Sequence, residues 1–262
     1  MRFALAIAYD GRPYEGWQSQ RGGNTVQDHL LAALQKIDPE IAQVHGSGRT
    51  DSGVSAEGQV AHFDASAGSS LDAEAWQRAL NTKLPKTIRV MASREVDNDF
   101  HARYSAIGKV YRYRLWLDRV LPPLEHGLAW RVRPSLDVDH LRTALDLLHG
   151  EHDFRAFAAN RGDGKDADRD CLRNISSITV EPPANGTPLL TLHFDGNGFL
   201  YKMVRLLVGT AVRHAEHPEK LSLVEIGRLL TSPEANEKAP FCAPADGLSL
   251  ISVHYPTASG IC

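Results

Sequence analysis

At 262 residues, 42% hydrophobic and 23% charged, the chain has ample apolar material for a packed core, which excludes general disorder. Its 29 basic and 32 acidic side chains leave a formal charge of -3, so a nucleic-acid function would need a local basic face rather than a bulk field. Three scattered cysteines, Cys171, Cys242 and Cys262, argue against a disulfide framework or a zinc ribbon and for a reducing compartment. Phe3 to Tyr9 is a short apolar run that stops at Asp10-Gly11, as a buried strand does and a signal peptide does not. Thr25 followed by Asp28 caps a helix with Val26, Leu30, Leu34 and Ile37 on one face. Val44 to Ser47 and Gln59 to Asp64 read as short strands flanking a glycine-rich loop. Asp72 caps a helix carrying Trp76, Leu80 and Leu84, and Ile88 to Val96 is a strand, so the order is β-α-β-β-α-β.

The order then repeats. A strand from Lys109 to Leu117 precedes a helix capped at Asp137 that carries Leu141, Leu145 and Leu148 and ends at Gly150. Asn174 to Val180 and Leu189 to Asp195 read as strands, and Arg161 to Arg173 as a mobile loop. Phe199 to about His214 is a long apolar helix, Ser222 with Glu225 opens another, and Leu248 to Tyr255 is a last strand. This predicts an α+β protein of two ferredoxin-like, split βαβ halves, residues 1–104 and 105–262, joined into an extended antiparallel sheet with helices on one face. A sheet face left open in this way suits RNA. No apolar stretch approaches the roughly 18 residues of a membrane span, and the reading is of a cytoplasmic protein.

Phosphate loops, zinc-protease pairs and nucleophile elbows are absent as motifs, and the paired histidines His149/His152 and His214/His217 lack ligand partners at metal spacing. Neither a metal nor a nucleotide cofactor is therefore expected. Chemistry concentrates instead in Gly46 to Gly53, where Arg49, Asp51 and several hydroxyls sit among glycines that let backbone approach a ligand. On the residues alone, Asp51 is more readily read as a turn cap paired with Arg49.

Gly48-Arg49-Thr50-Asp51-Ser52-Gly53-Val54 resembles the GRTDxGV signature of the tRNA pseudouridine synthase A family. Further blocks similar to that family follow in order: Tyr9-Asp10-Gly11 with Gly16-Trp17-Gln18, Phe100-His101-Ala102-Arg103 with Ser105-Ala106, and Tyr111-Arg112-Tyr113. His152-Asp153-Phe154, Phe199-Leu200 with Met203-Val204-Arg205, and Ala243-Pro244-Ala245 with Gly247-Leu248 complete the series across nearly the whole chain. The sequence departs at Ser52, where the family commonly has Ala, at Ser55, where it commonly has His, and at Cys171, which replaces a hydroxyl residue.

The resemblance implies isomerisation of uridine to pseudouridine in the anticodon stem and loop of tRNA, at positions 38, 39 and 40, with no cofactor. Asp51 would act as covalent nucleophile or as general base, with Arg49 and Arg205 holding it ionised and oriented. Arg49 would also replace the flipped base in the stack. Tyr111 would stack on the uracil and handle the C5 proton, and Leu200 and Met203 would wall the pocket. Tyr113 shares the strand parity of Tyr111 and reads as packing or as part of that face. Arg103, Lys109, Arg112, Arg114 and Arg119 cluster around one strand as candidate phosphate contacts. The implied partner is tRNA, bound by a homodimer. The rivals are a tRNA-binding module without chemistry and a hydrolase using Ser52 or Ser55, for which no His and acid partners stand at motif spacing.

Overall fold

The computed structural model describes residues 1–160, 170–184, 186–234 and 236–256. The chain forms two compact units, Met1–Lys109 together with the segment from Ser249 onward, and Val110–Leu248. The first contains β1 (Arg2–Tyr9), α1 (Val26–Gln35), β2 (His45–Gly46), β3 (Ser55–Asp64), α2 (Ala73–Lys83) and β4 (Ile88–Val96), the order read from the sequence. β1 lies between β4 and β3 and pairs antiparallel with both, and β2 pairs with β3, giving the spatial order 4-1-3-2 of a split βαβ unit.

Alternation explains which face of this sheet is covered. Phe3 opposes Phe63 in the β1–β3 register, and their stacked rings, 5.7 Å apart, meet Trp76 of α2, whose ring lies 4.9 Å from that of Phe63. Ala4 opposes His62 and Ala6 opposes Val60 on the other face. Both helices start where the caps dictate: the Thr25 side chain accepts from the Asp28 N–H, and the Asp72 carboxylate from the Ala75 N–H.

The second unit holds most of β5 (Gly108–Trp116), then β6 (Trp130–Arg131), α3 (Val138–Asp146), β7 (Gly150–Asp153), β8 (Leu172–Glu181), β9 (Leu189–Gly196), α4 (Met203–Glu216) and α5 (Leu223–Thr231). Its strand order is β5-β9-β8-β7, with α3 packed on α4. Ser222 and Glu225 form the full capping box at the start of α5.

Four local expectations change. The helix foreseen from Phe199 begins at Met203, because Lys202 takes a left-handed conformation with φ 60° that interrupts any helix there. β7, Gly-Glu-His-Asp, has no hydrophobic period to announce it and forms by pairing antiparallel with the edge of β8. Leu172 and Arg173, placed in a loop by their charged surroundings, belong to β8, while residues 161–169 of that loop lie outside the described residues. The sheets are not wholly antiparallel, since β6 runs parallel to β5.

The last strand, β10 (Leu248–His254), read as closing the second half, joins the first unit from Ser249 onward. Because β2 covers β3 only at Ala61 and His62, the opposite end of that edge is open. There Ser249 and Leu250 pair in parallel with Ser55 and Ala56. Tyr255 secures the strand: its hydroxyl donates to the Ala102 carbonyl at 2.6 Å and its ring lies 5.2 Å from that of Phe100.

Candidate active site

The loop from Gly46 to Val54 connects β2 to β3 without regular structure, yet it is held along its length. At its start the Ser47 N–H donates to the Val60 carbonyl at 2.7 Å and the Ser47 hydroxyl to Gln59 Oε1 at 2.6 Å. The same Gln59 amide donates to the Gly48 carbonyl at 3.1 Å. In the middle, the Thr50 and Tyr9 hydroxyls share a 2.8 Å hydrogen bond, and the Trp17 N–H donates to the Thr50 carbonyl at 3.1 Å. Burial pushes the Tyr9 phenol up to about 12, so it is neutral near neutral pH. At the far end the Gly53 N–H and the Ser52 hydroxyl both donate to the Tyr14 carbonyl, each at 3.3 Å.

Half-buried Asp51 stands between these anchors, its carbonyl accepting the Val54 N–H at 3.1 Å in a tight turn. Gly16 explains why the neighbouring chain comes so near: at φ +91°, a Cβ there would lie 2.6 Å from the Thr50 carbonyl oxygen and 3.0 Å from the carbonyl carbon of Asp51. Arg49 is exposed, and its Nε donates to Gln18 Oε1 at 3.2 Å. Gln18 is itself fixed by Gln27, which reaches the Val44 carbonyl. The departure at Ser55 has a local use, because its hydroxyl accepts the Gly11 N–H at 3.0 Å.

The other named residues lie in the second unit. Tyr111 of β5 is buried with its ring edge-on to Phe199, centroids 5.2 Å apart. Leu200 and Met203 are buried in the turn that enters α4, where the Met203 N–H donates to the Leu200 carbonyl at 3.0 Å. Arg205 occupies the first turn of α4, with its Nε donating to the Ala243 carbonyl at 2.8 Å while the Ala243 N–H returns to the Arg205 carbonyl at 3.0 Å. Tyr113 is wholly buried, donates to the Pro244 carbonyl at 2.8 Å, and has its phenol raised well above the ordinary range by burial, so it is a packing residue. The site residues thus form two sets, Arg49 with Asp51 and Tyr111 with Leu200, Met203 and Arg205.

A family model described as tRNA pseudouridine synthase matches residues 5–105 and 144–256. The chain belongs to the tRNA pseudouridine synthase family. It is 46% identical over 256 residues to the "tRNA pseudouridine synthase A" of Akkermansia muciniphila, covering 97% of this chain and 95% of that one. Similar proteins include that of Geobacter sp. strain M21, 39% identical with 96% and 98% covered, and "tRNA pseudouridine synthase A 1" of Protochlamydia amoebophila, 39% identical with 98% of each covered. Among solved structures, "Crystal Structure of a Cbf5-Nop10-Gar1 Complex" aligns with a TM-score of 0.39 and 13% identity over 95% of this chain and 49% of that one. Asp51, Arg49, Leu200, Met203 and Arg205 fall inside the segments matched to the tRNA pseudouridine synthase family, and Tyr111 falls between them.

Sequence reasoning missed the residues that shape the Asp51 loop of this tRNA pseudouridine synthase family member from beneath. Gln59 was legible as a polar side chain within an apolar strand, and Tyr9 as the hydroxyl-bearing end of β1, but neither pattern names a partner. It also missed a cluster of His45, His62 and His101 whose ring centroids lie 5.0, 5.4 and 4.6 Å apart. His62 Nδ1 accepts the Ala102 N–H, and His101 Nδ1 accepts the Arg103 N–H, so each neutral ring carries its proton on Nε2. These tautomers turn N–H groups, not lone pairs, away from the backbone and are unsuited to metal ligation there. Among the described residues no helix is long and apolar enough to cross a membrane.

Proposed function

We propose that this protein isomerises uridine to pseudouridine in tRNA, acting at positions 38, 39 and 40 of the anticodon stem and loop. The observation that carries the reading is the anchoring of the Asp51 loop on both sides, which supports a carboxylate held ready rather than a surface turn cap. Asp51 either attacks the nucleoside or removes a sugar proton; in both routes the C1′–N1 bond breaks, the uracil turns, and a C1′–C5 bond forms. Arg205 orients and charge-balances the carboxylate, and Arg49, exposed and steered by Gln18, occupies the stack vacated by the flipped base. The Tyr111 ring stacks on uracil and its hydroxyl handles the C5 proton, while Leu200 and Met203 exclude water.

No cofactor takes part in this scheme. The enzyme works as a cytoplasmic homodimer in which one subunit helps position the tRNA presented to the other. The test is tritium release from tRNA labelled at uridine C5, with Asp51→Asn and Asp51→Ala compared with the unmodified protein. Both substitutions are expected to abolish release while tRNA binding stays within a few-fold. Turnover by either variant at the unmodified rate would refute the assignment.

A further inference from the structure

The anchors on the Asp51 loop described above are neutral groups, but a charged one also reaches it. Lys109 Nζ donates to the Ser47 carbonyl at 3.0 Å, four residues before Asp51. Among the described residues this is its one hydrogen bond, and no carboxylate pairs with it. An enclosed ammonium without a counter-ion is a costly way to hold a carbonyl, since an amide such as that of Gln59 does the same at the Gly48 carbonyl without a charge. The loop also lies close against this group: a Cβ on Gly48 would meet Lys109 Nζ, so a side chain there would push the ammonium from its place.

We propose that Lys109 is a positioning residue for the reaction, its ammonium clamping the Ser47 carbonyl so that the loop presents Asp51 in its productive geometry. The inference rests on the reading of Asp51 as the reacting carboxylate. Geometry assigns the clamp, and electrostatics makes it sensitive to pH. Burial first, and the positive charge of Arg103 second, lower the Lys109 ammonium to about 8. A protonated ammonium makes a charge-assisted bond roughly twice as strong as a neutral amine does, so the clamp weakens as pH rises through that value.

The experiment measures kcat and KM for tRNA from pH 7 to 9.5 in the full-length protein and in Lys109→Ala, Lys109→Arg, Gly48→Ala and the Gly48→Ala/Lys109→Ala double variant. Lys109→Ala is expected to lower kcat by about 10²-fold, the scale of a misplacement near 1 Å, with KM changed less than about threefold. Lys109→Arg is expected to restore most of kcat and to remove the alkaline decline expected of the unmodified protein, because guanidinium stays charged. Gly48→Ala is expected to lower kcat when Lys109 is present and to have no effect when residue 109 is alanine, the non-additivity of two groups in contact. A kcat for Lys109→Ala within twofold of the unmodified protein, an unaltered pH profile in Lys109→Arg, or an equal Gly48→Ala penalty in both backgrounds would overturn the proposal. Asp51→Asn separates the two levels: inactive Asp51→Asn beside fully active Lys109→Ala refutes the clamp alone, whereas active Asp51→Asn refutes the reading beneath it.

Discussion

Replacing Gly16 with alanine tests whether the close approach of its backbone to the Asp51 loop sets the reactive geometry. The residue sits at φ +91°, where a side chain costs roughly 1–2 kcal/mol relative to glycine. The added Cβ would also lie 2.6 Å from the Thr50 carbonyl oxygen and 3.1 Å from the Ser52 nitrogen, where ordinary contact begins at 3.4 Å. Backbone must therefore yield by about 0.8 Å, directly beside Asp51, and displacements near 1 Å cost about 10²-fold in rate. Gly23 supplies the control: its φ of +70° brings a comparable conformational penalty, but a Cβ there meets nothing within 4 Å. Gly23→Ala is expected to lower Tm by about 2–8 °C through strain alone and to leave kcat intact. Gly16→Ala is expected to lower Tm further and kcat by about 10²-fold in the tritium-release assay, with tRNA affinity preserved. Equal Tm losses and unchanged kcat in both variants would refute the argument that the Gly16 contact positions the loop.

Two further outcomes follow from the geometry. His62 is buried, and that burial, with the charges of His101, Arg2 and His45 opposing Asp64, lowers its imidazolium to about 4. A folded value below the ordinary 6.5 means this histidine contributes stability above pH 6.5 that is lost as pH falls through 4, at most about 3 kcal/mol. Thermal melts from pH 7 to 4 should show that decline, and His62→Leu, less stable at pH 7, should show a flatter one; parallel curves would count against the assignment. Tyr111→Phe keeps the ring that meets Phe199 and removes the hydroxyl, so kcat should fall by about 10²-fold or more with tRNA binding unchanged. A variant rate equal to that of the unmodified enzyme would leave Tyr111 with stacking alone.

Local chemistry made most of the elements legible. Thr25, Asp72, Asp137 and Ser222 each cap the helix foreseen for them, because a side-chain oxygen two or three residues before an unpaired N–H acts without help from distant chain. The Asp51 loop was legible for a similar reason, since its chemistry-bearing residues are contiguous in the chain. Tertiary structure alone decided which neighbour each strand takes: β10 alternates as any half-buried strand does, and its place beside Ser55 and Ala56 depends on the shortness of β2, an element far away in sequence. It likewise decided that Tyr113 packs, although it has the strand parity of Tyr111, because parity fixes a face while depth depends on the chain that covers it. Sixty-two positions separate Lys109 from Ser47, and no local preference of either residue encodes a bond that forms only when the strand and the loop fold together.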